Sequence, residues 1–374
     1  MIEKAMEEAL TIVRDNLPLY TYACQNHSSV QGRYPFTGNT QWTCGFWPGE
    51  IWLAWEHTHD EAYKKSGTIM VDSFLDRIER KIEVDHHDMG FLYSPSCVAA
   101  WQLTGNEKAR KAALLASDQL LTRFHEKGGY LQAWGPMDER KSCRYIIDCL
   151  LNLPLLYWAS RETGDTKYRE IALIHTATCL KYSFRPDGST YHTFYMDPVT
   201  GEGVRGETCQ GYRNDSSWAR GQAWAIYGLA LCYRETKDHT ILPLFQRVTD
   251  YFLSRLPKDG IPYWDLIFTS GNEPRDTSSA SIAACALLEM AGLDTADKET
   301  YTKQAEKLVK DVITFATVHP GNGQNGLVLH GTYSKKSPYN TCTEEGVDEC
   351  VSWGDYFYLE ALTRLQDPDW RSYW

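Results

Sequence analysis

Asp148 is the acidic residue at the edge of a run that is otherwise almost wholly apolar. The stretch reads Arg144-Tyr145-Ile146-Ile147-Asp148-Cys149-Leu150-Leu151-Asn152-Leu153-Pro154-Leu155-Leu156. An ionised carboxylate there would lose much of its water, and desolvation favours the neutral acid. A carboxylic acid that keeps its proton near neutral pH is what general-acid catalysis needs. The plain alternative is an aspartate capping a helix that begins at Cys149, and one residue can serve both purposes. A second carboxylate, Asp88, stands in Asp85-His86-His87-Asp88-Met89-Gly90-Phe91 and opens another apolar helix. It too reads either as a cap or as chemistry. Two carboxylates in one pocket repel when both are charged, which raises one pKa. Paired acids are the usual equipment of glycoside cleavage.

Other chemistries find less support. His86 and His87 are adjacent, so their side chains point apart, and no set of ligands at metal spacing completes a site. Neither a metal nor any other cofactor is expected. No glycine-rich phosphate loop follows a strand, and no Gly-x-Ser-x-Gly elbow is present. Arg220 lies in Trp218-Ala219-Arg220-Gly221-Gln222-Ala223-Trp224. An arginine among aromatic residues can fork onto a carboxylate while the rings stack on a sugar. It can equally be an ordinary surface arginine. Gln210 and His192, taken alone, are structural hydrogen-bonders or substrate contacts.

Residues so far apart must be gathered by the fold, and the sequence carries a repeat that can do this. Each copy starts with a polar or glycine-rich turn, enters an apolar aromatic helix, breaks at a polar loop and enters a more charged helix. The breaks are Thr58-His59-Asp60, Thr104-Gly105-Asn106, Thr163-Gly164-Asp165, Lys237-Asp238 and Asp294-Thr295. A sixth copy begins at Trp353-Gly354-Asp355-Tyr356 and lacks a second helix. Met6, Leu10, Val13 and Leu17 recur near helical spacing, so the segment 1–17 can complete the sixth pair. A helix apolar all round is buried, and a one-striped helix covers it. The expected fold is therefore all-α: an (α/α)6 barrel, or six-hairpin toroid, in one catalytic domain spanning 1–374. The alternative is an open α-solenoid. A small β-rich insert is expected near 190–207, where Thr190-Tyr191-His192-Thr193-Phe194-Tyr195 alternates before an Asp197-Pro198 turn.

The formal charge of -11 with no basic stripe argues against nucleic acid as a partner. No apolar run is long enough to cross a bilayer, so no membrane partner is expected. The 11 cysteines are odd in number and scattered, which suits free thiols in a reducing cytoplasm. The first residues also lack the pattern of a signal peptide. The abundant 13 Trp and 23 Tyr read as core residues or as sugar-stacking platforms. A small oligosaccharide ligand and a monomer or homodimer are expected.

Together the motifs resemble those of the unsaturated glucuronyl hydrolases of glycoside hydrolase family 88. The matching stretches include Asn39-Thr40-Gln41-Trp42, Asp85-His86-His87-Asp88, Gln132-Ala133-Trp134-Gly135-Pro136, Ile146-Ile147-Asp148-Cys149, Tyr191-His192, Gln210-Gly211, Trp218 to Trp224, Tyr263-Trp264-Asp265, Arg275-Asp276-Thr277 and Trp353-Gly354-Asp355-Tyr356. They span nearly the whole chain in the family's order. The resemblance implies the same barrel and an unusual reaction: hydration of a 4,5-unsaturated uronic acid at the non-reducing end of lyase-generated oligosaccharides. By similarity, Asp148 protonates C4 and then deprotonates the water that adds at C5, with Asp88 beside it. Arg220, Gln210 and His192 would orient the uronate. Trp42, Trp134 and Trp224 would stack on the sugars, and His87 and Phe46 would line the pocket. Relatives that prefer sulfated disaccharides tend to carry an Arg just before the Gln210 position and a Ser-x-x-Ser-x-Lys motif. Here the first position is Cys209, and the second region reads Ser334-Lys335-Lys336-Ser337-Pro338-Tyr339. Both serines are present, Tyr339 replaces the final lysine, and Lys335 or Lys336 is the candidate substitute. The other readings are an unsaturated rhamnogalacturonyl hydrolase, an ordinary inverting glycosidase, and a sugar-binding protein without catalysis.

Overall fold

Helices with apolar residues on every side end up inside, and helices with one apolar stripe cover them. The computed structural model describes residues 1–293 and 296–374. Helix α1 (Ile2–Tyr20) leads, and α2 (Phe46–Thr58) with α3 (Glu61–Glu79) forms the first hairpin. The second inner helix is one run of α4 (Met89–Tyr93), a π-helical turn (Ser94–Val98) and α5 (Ala99–Thr104), covered by α6 (Glu107–Leu121). The third is a 3-10 turn (Ile147–Leu151) continued by α7 (Leu153–Thr163) and covered by α8 (Thr166–Tyr182). Then come α9 (Ala219–Thr236) with α10 (Ile241–Ser254), α11 (Thr277–Gly292) with α12 (Lys298–Ala316), and α13 (Ser352–Gln366).

The fold is the (α/α)6 barrel. Inner helices contact their neighbours in sequence order, and α13 packs back onto α2. This closure excludes the open solenoid. A Cβ on Gly49 of α2 would fall 2.5 Å from the ring of Tyr356 on α13, so glycine permits the close approach that seals the ring. Helix α1 packs on α13 and completes the sixth pair. Every residue of α9 from Ala219 to Tyr233 is buried, as an inner position requires.

The polar breaks have a shared physical cause. Gly105 and Gly164 end inner helices at φ of 66° and 78°, a left-handed conformation that glycine adopts at little cost. The next residue then caps the outer helix. Asn106 Oδ1 accepts from Lys108 N and Ala109 N, and Asp165 Oδ1 accepts from Lys167 N. Asp60 does the same for Ala62 N. The turn expected at Asp294-Thr295 lies outside the described residues.

Short strands decorate the ring. β1 (Cys24–Gln25) pairs with β2 (Phe36–Thr37), and β3 (Phe124–His125) with β4 (Tyr130–Leu131). β5 (Arg144–Ile146), β6 (Thr193–Met196) and β7 (Gly203–Glu207) form an antiparallel sheet, with Arg144 opposite Tyr195 and Ile146 opposite Thr193. The insert near 190–207 is therefore a hairpin, as its alternation suggests, but it gains a third strand from the segment just before Asp148. A further hairpin of β8 (Gly331–Ser334) and β9 (Glu345–Glu349) was not expected from the pattern. At the far end of the ring, Trp374 stacks on Phe357 with centroids 5.6 Å apart, and its indole donates to Glu360.

Candidate active site

Asp148 does not cap a helix. It lies in the 3-10 turn Ile147–Leu151, and α7 starts only at Leu153, so the helix expected from Cys149 begins four residues later. Oδ1 of Asp148 is buried without a hydrogen-bond partner. Burial, then the charge of Asp88, push its pKa up to about 7, while Arg220 pulls the other way. The carboxyl is thus held protonated near neutrality.

Asp88 precedes α4 at the N-cap position, but its side chain makes no capping bond. Burial alone would raise its pKa. The imidazoles of His87 and His86 outweigh that and hold it below the ordinary carboxylate value. His87 Nε2 is 3.2 Å from Oδ1, and His86 Nδ1 is 3.1 Å from Oδ2. Two acids therefore sit in one site with opposite shifts, one neutral and one ionised.

The two are brought together by a close contact between inner helices. A Cβ at Gly90 would stand 2.3 Å from Asn152 Cα and 2.8 Å from its carbonyl oxygen. Asn152 in turn accepts from Phe91 N, and its amide donates to Asp148 O at 3.4 Å. Gly90→Ala is expected to cost about 1–3 kcal/mol of stability by overpacking. It should also lower activity, because the shift moves Asp88 away from Asp148. Thermal denaturation and turnover measured together check this; an unchanged melting midpoint would contradict the contact.

Both acids line a cavity of about 440 Å³ at the mouth where the inner helices start. Trp42, Trp134, His87, His192 and Gln210 line it as well. Trp42 stacks on Trp353 at 5.3 Å, and Trp134 is 40% exposed, which leaves a ring face for a ligand. His192 Nδ1 accepts from Cys209 N at 3.0 Å, so its remaining proton is on Nε2. Burial pushes its pKa down to about 3, and it stays a neutral donor. Gln210 donates to the carbonyl of Tyr333 at 2.9 Å.

The other expected residues lie elsewhere. Phe46 and Trp224 are fully buried beneath the floor, packed on Phe91 at 5.6 and 5.0 Å, and do not line the cavity. Arg220 is also behind the wall. Its guanidinium is sandwiched between Trp218 and Trp353 and donates to Asp276, Thr332 O and Tyr333 O. The fork expected for a substrate carboxylate is thus engaged within the protein, and the surface alternative fails because the residue is 1% exposed. Ser334 Oγ donates to Thr343 O, and Ser337 Oγ to Tyr212 O, so both hydroxyls hold the loop after β8. Tyr339 is exposed and lines an adjoining cavity of about 360 Å³, which shares Trp134 with the first. The sequence reading missed Tyr333 and His27, which also line the acid cavity. Tyr333 lies on the unexpected strand β8, and no local pattern marks it. His27 was legible only as an isolated histidine.

A larger cavity of about 690 Å³ lies at the opposite end of the ring, among Arg161, Arg234, Arg364 and Trp374. Three of its arginines are paired: Arg161 with Glu235, Arg234 with Glu289 at 3.2 Å and Arg364 with Glu360 at 2.9 Å. Burial would raise the pKa of its Glu289, but Arg364 and Arg234 outweigh that and hold it low, whereas the smaller cavity holds Asp148 with its pKa pushed up to about 7. Among the described residues, no group of three or more His, Cys, Asp or Glu side chains could hold a metal ion. Among them too, no helix is long and apolar enough to cross a membrane.

The family model for Glycosyl Hydrolase Family 88 matches residues 20–354. The chain belongs to this family. It is 45% identical over all of its length, and 93% of the relative's, to a protein of Streptococcus pyogenes serotype M1 named unsaturated chondroitin disaccharide hydrolase. The crystal structure of an unsaturated glucuronyl hydrolase from Streptococcus agalactiae superimposes with a TM-score of 0.95 at 44% identity, covering 100% of this chain and 93% of that one. A mutant of the S. agalactiae enzyme, solved in complex with dGlcA-GalNAc6S, matches at a TM-score of 0.87 and 42% identity, covering 100% of this chain and 93% of that one. Family 88 membership accounts for the motif order, and the paired acids lie where those motifs converge.

Proposed function

We propose that this glycosidase releases the 4,5-unsaturated uronic acid from the non-reducing end of lyase-generated oligosaccharides, with unsaturated chondroitin or hyaluronan disaccharides as the main class. The observation that carries the reading is the neutral Asp148 beside the ionised Asp88 in one cavity. Asp148 gives its proton to C4 of the vinyl ether. Positive charge develops at C5 and the ring oxygen, and the Asp88 carboxylate stabilises it. Water adds at C5 and returns a proton to Asp148. The resulting hemiketal opens to a ketone at C5. This leaves C1 as a hemiacetal, which sheds the second sugar as an alcohol. Trp42 and Trp134 provide the stacking faces, while His192 and Gln210 position the unsaturated ring.

Arg220 contributes by its charge from behind the wall and by holding Tyr333 in place. We assign the reaction to the cytoplasm, because all 11 cysteines are free thiols.

The test is direct. The enzyme is mixed with an unsaturated disaccharide, and the ultraviolet absorbance of the conjugated double bond is followed. The absorbance is expected to vanish, and the reaction in heavy water is expected to place deuterium on C4. An ordinary inverting glycosidase would free the sugar with the double bond intact, and that outcome would overturn the reading.

A further inference from the structure

One buried cation lies just behind the acid cavity and has no counter-ion. Arg77 stands near the end of α3 and is 1% exposed. Among the described residues it forms no ion pair. Its guanidinium donates five hydrogen bonds instead, all to neutral oxygens. Nε donates to Ile82 O at 3.2 Å, and Nη1 donates to Asn39 Oδ1 and Gln41 O at 2.9 Å each. Nη2 donates to Thr40 O at 3.2 Å and to Glu83 O at 2.7 Å. Those five are all the N–H donors an arginine has. A buried charge is tolerated when hydrogen bonds replace its water, and here the acceptors converge from two separate segments of the chain.

Both segments build the wall of the acid cavity. Residues 39–41 lead into Trp42, and Thr40, Gln41 and Trp42 all line it. Residues 82–83 form the turn after α3 and lead into His86, His87 and Asp88, which line it too. That turn carries backbone strain. Lys81 has a φ of 55° and Glu83 a φ of 45°, left-handed values that residues other than glycine rarely adopt. Arg77 grips the turn at the carbonyls of Ile82 and Glu83. The carbonyl of Glu83 passes the restraint on. His86 Nε2 donates to the same oxygen at 3.0 Å, and Nδ1 of that ring is 3.1 Å from Asp88 Oδ2. A continuous chain of contacts runs from Arg77 through Glu83 O and His86 to the ionised carboxylate.

We propose that Arg77 is a positioning residue that ties the Trp42 wall to the His86–Asp88 wall and so holds the stacking face and the charged acid in register. The inference rests on the proposed reaction and assigns part of its geometry to a side chain that touches no substrate. The groups facing Asp88 are His86 and His87 beside it, Asp148, Cys149 and Asn152 from the third hairpin, and Tyr333 from β8. Of these, Arg77 is linked to His86. Loosening it frees one of the two imidazoles that hold the Asp88 proton affinity down and leaves the other in place.

The experiment records kcat, KM and the pH–rate profile of the parent, Arg77→Lys, Arg77→Met and Asn39→Ala on one unsaturated disaccharide, with melting curves alongside. Lys keeps the charge but has three donors in place of five, and Met keeps the stem and has none. Both arginine variants are expected to lose about tenfold to a hundredfold in kcat/KM per folded molecule, the scale of a displacement of about 1 Å at a catalytic group. Their acid limb should move toward neutral pH, because His86 no longer faces Asp88. Asn39→Ala loosens only the Trp42 side. It should raise KM by about threefold, as for one neutral hydrogen bond, and leave the acid limb where it is. If Arg77→Met does not fold, Arg77→Lys and Asn39→Ala carry the comparison. An acid limb that stays put in Arg77→Lys, with activity falling only in step with the folded fraction, would make Arg77 a purely structural residue and overturn the assignment. So would an Asn39→Ala variant whose KM matches that of the parent. If the parent itself leaves the double bond intact, the proposed reaction falls and this inference falls with it.

Discussion

Asp148→Asn is expected to lower the rate of double-bond loss by about 10²–10⁴-fold, the usual worth of a positioned acid and base. The same substitution should stabilise the protein at alkaline pH. In the parent, the unfolded carboxyl ionises near 4, while the folded one holds its proton to about 7. A group whose folded pKa is raised favours folding most at low pH and loses that contribution as pH rises through the folded value. The parent therefore weakens between about pH 4 and pH 7 in a way that the Asn variant, which has no proton to lose, does not. A gap of about three units is worth up to about 4 kcal/mol above pH 7. The check is a pair of melting curves at pH 5 and pH 8 beside the activity assay. A variant that is inactive, yet gains stability on the parent as pH rises, matches both halves. One that keeps full activity removes Asp148 from the chemistry.

The second large effect is at Asp88. Asp88→Asn is expected to lower kcat by about 10²–10³-fold, because a preorganised charge facing the developing cation is lost. It also has a signature that loss of structure cannot mimic. The Asp88 charge is one of the two causes that raise the Asp148 pKa. Without it, Asp148 ionises at lower pH, and the alkaline fall in activity, expected near pH 7 in the parent, should move toward acid. The acid limb that reflects protonation of Asp88, held low by His87 and His86, should disappear. A pH–rate profile of the residual activity reads both. An alkaline limb that stays put would mean the carboxylates do not feel each other.

These outcomes tie the proton inventory of the site to its architecture. The neutral acid exists because Oδ1 of Asp148 has no partner and little water. The charged one exists because two imidazoles face it. Gly90 allows the contact that puts them in one cavity. A side chain at position 90 would therefore act on catalysis without touching substrate.

Much of this was legible in the chain itself, because helix periodicity and its punctuation are local. The apolar and striped helices, the Gly105–Asn106 and Gly164–Asp165 breaks, and the odd acid in an apolar run all depend on residues within a few positions of one another. They suffice for six hairpins and for two candidate carboxylates, and the motif order carries the family. Side-chain direction at the mouth does not follow from local pattern. Whether Arg220 faces a ligand or lies sandwiched behind the wall depends on Thr332 and Tyr333, more than a hundred residues away. Phe46 and Trp224 sit under the floor because Phe91 from another hairpin covers them. Local periodicity determines which helices form and which face each buries. Long-range packing alone decided which polar groups found partners inside the protein, and so which were left for a substrate.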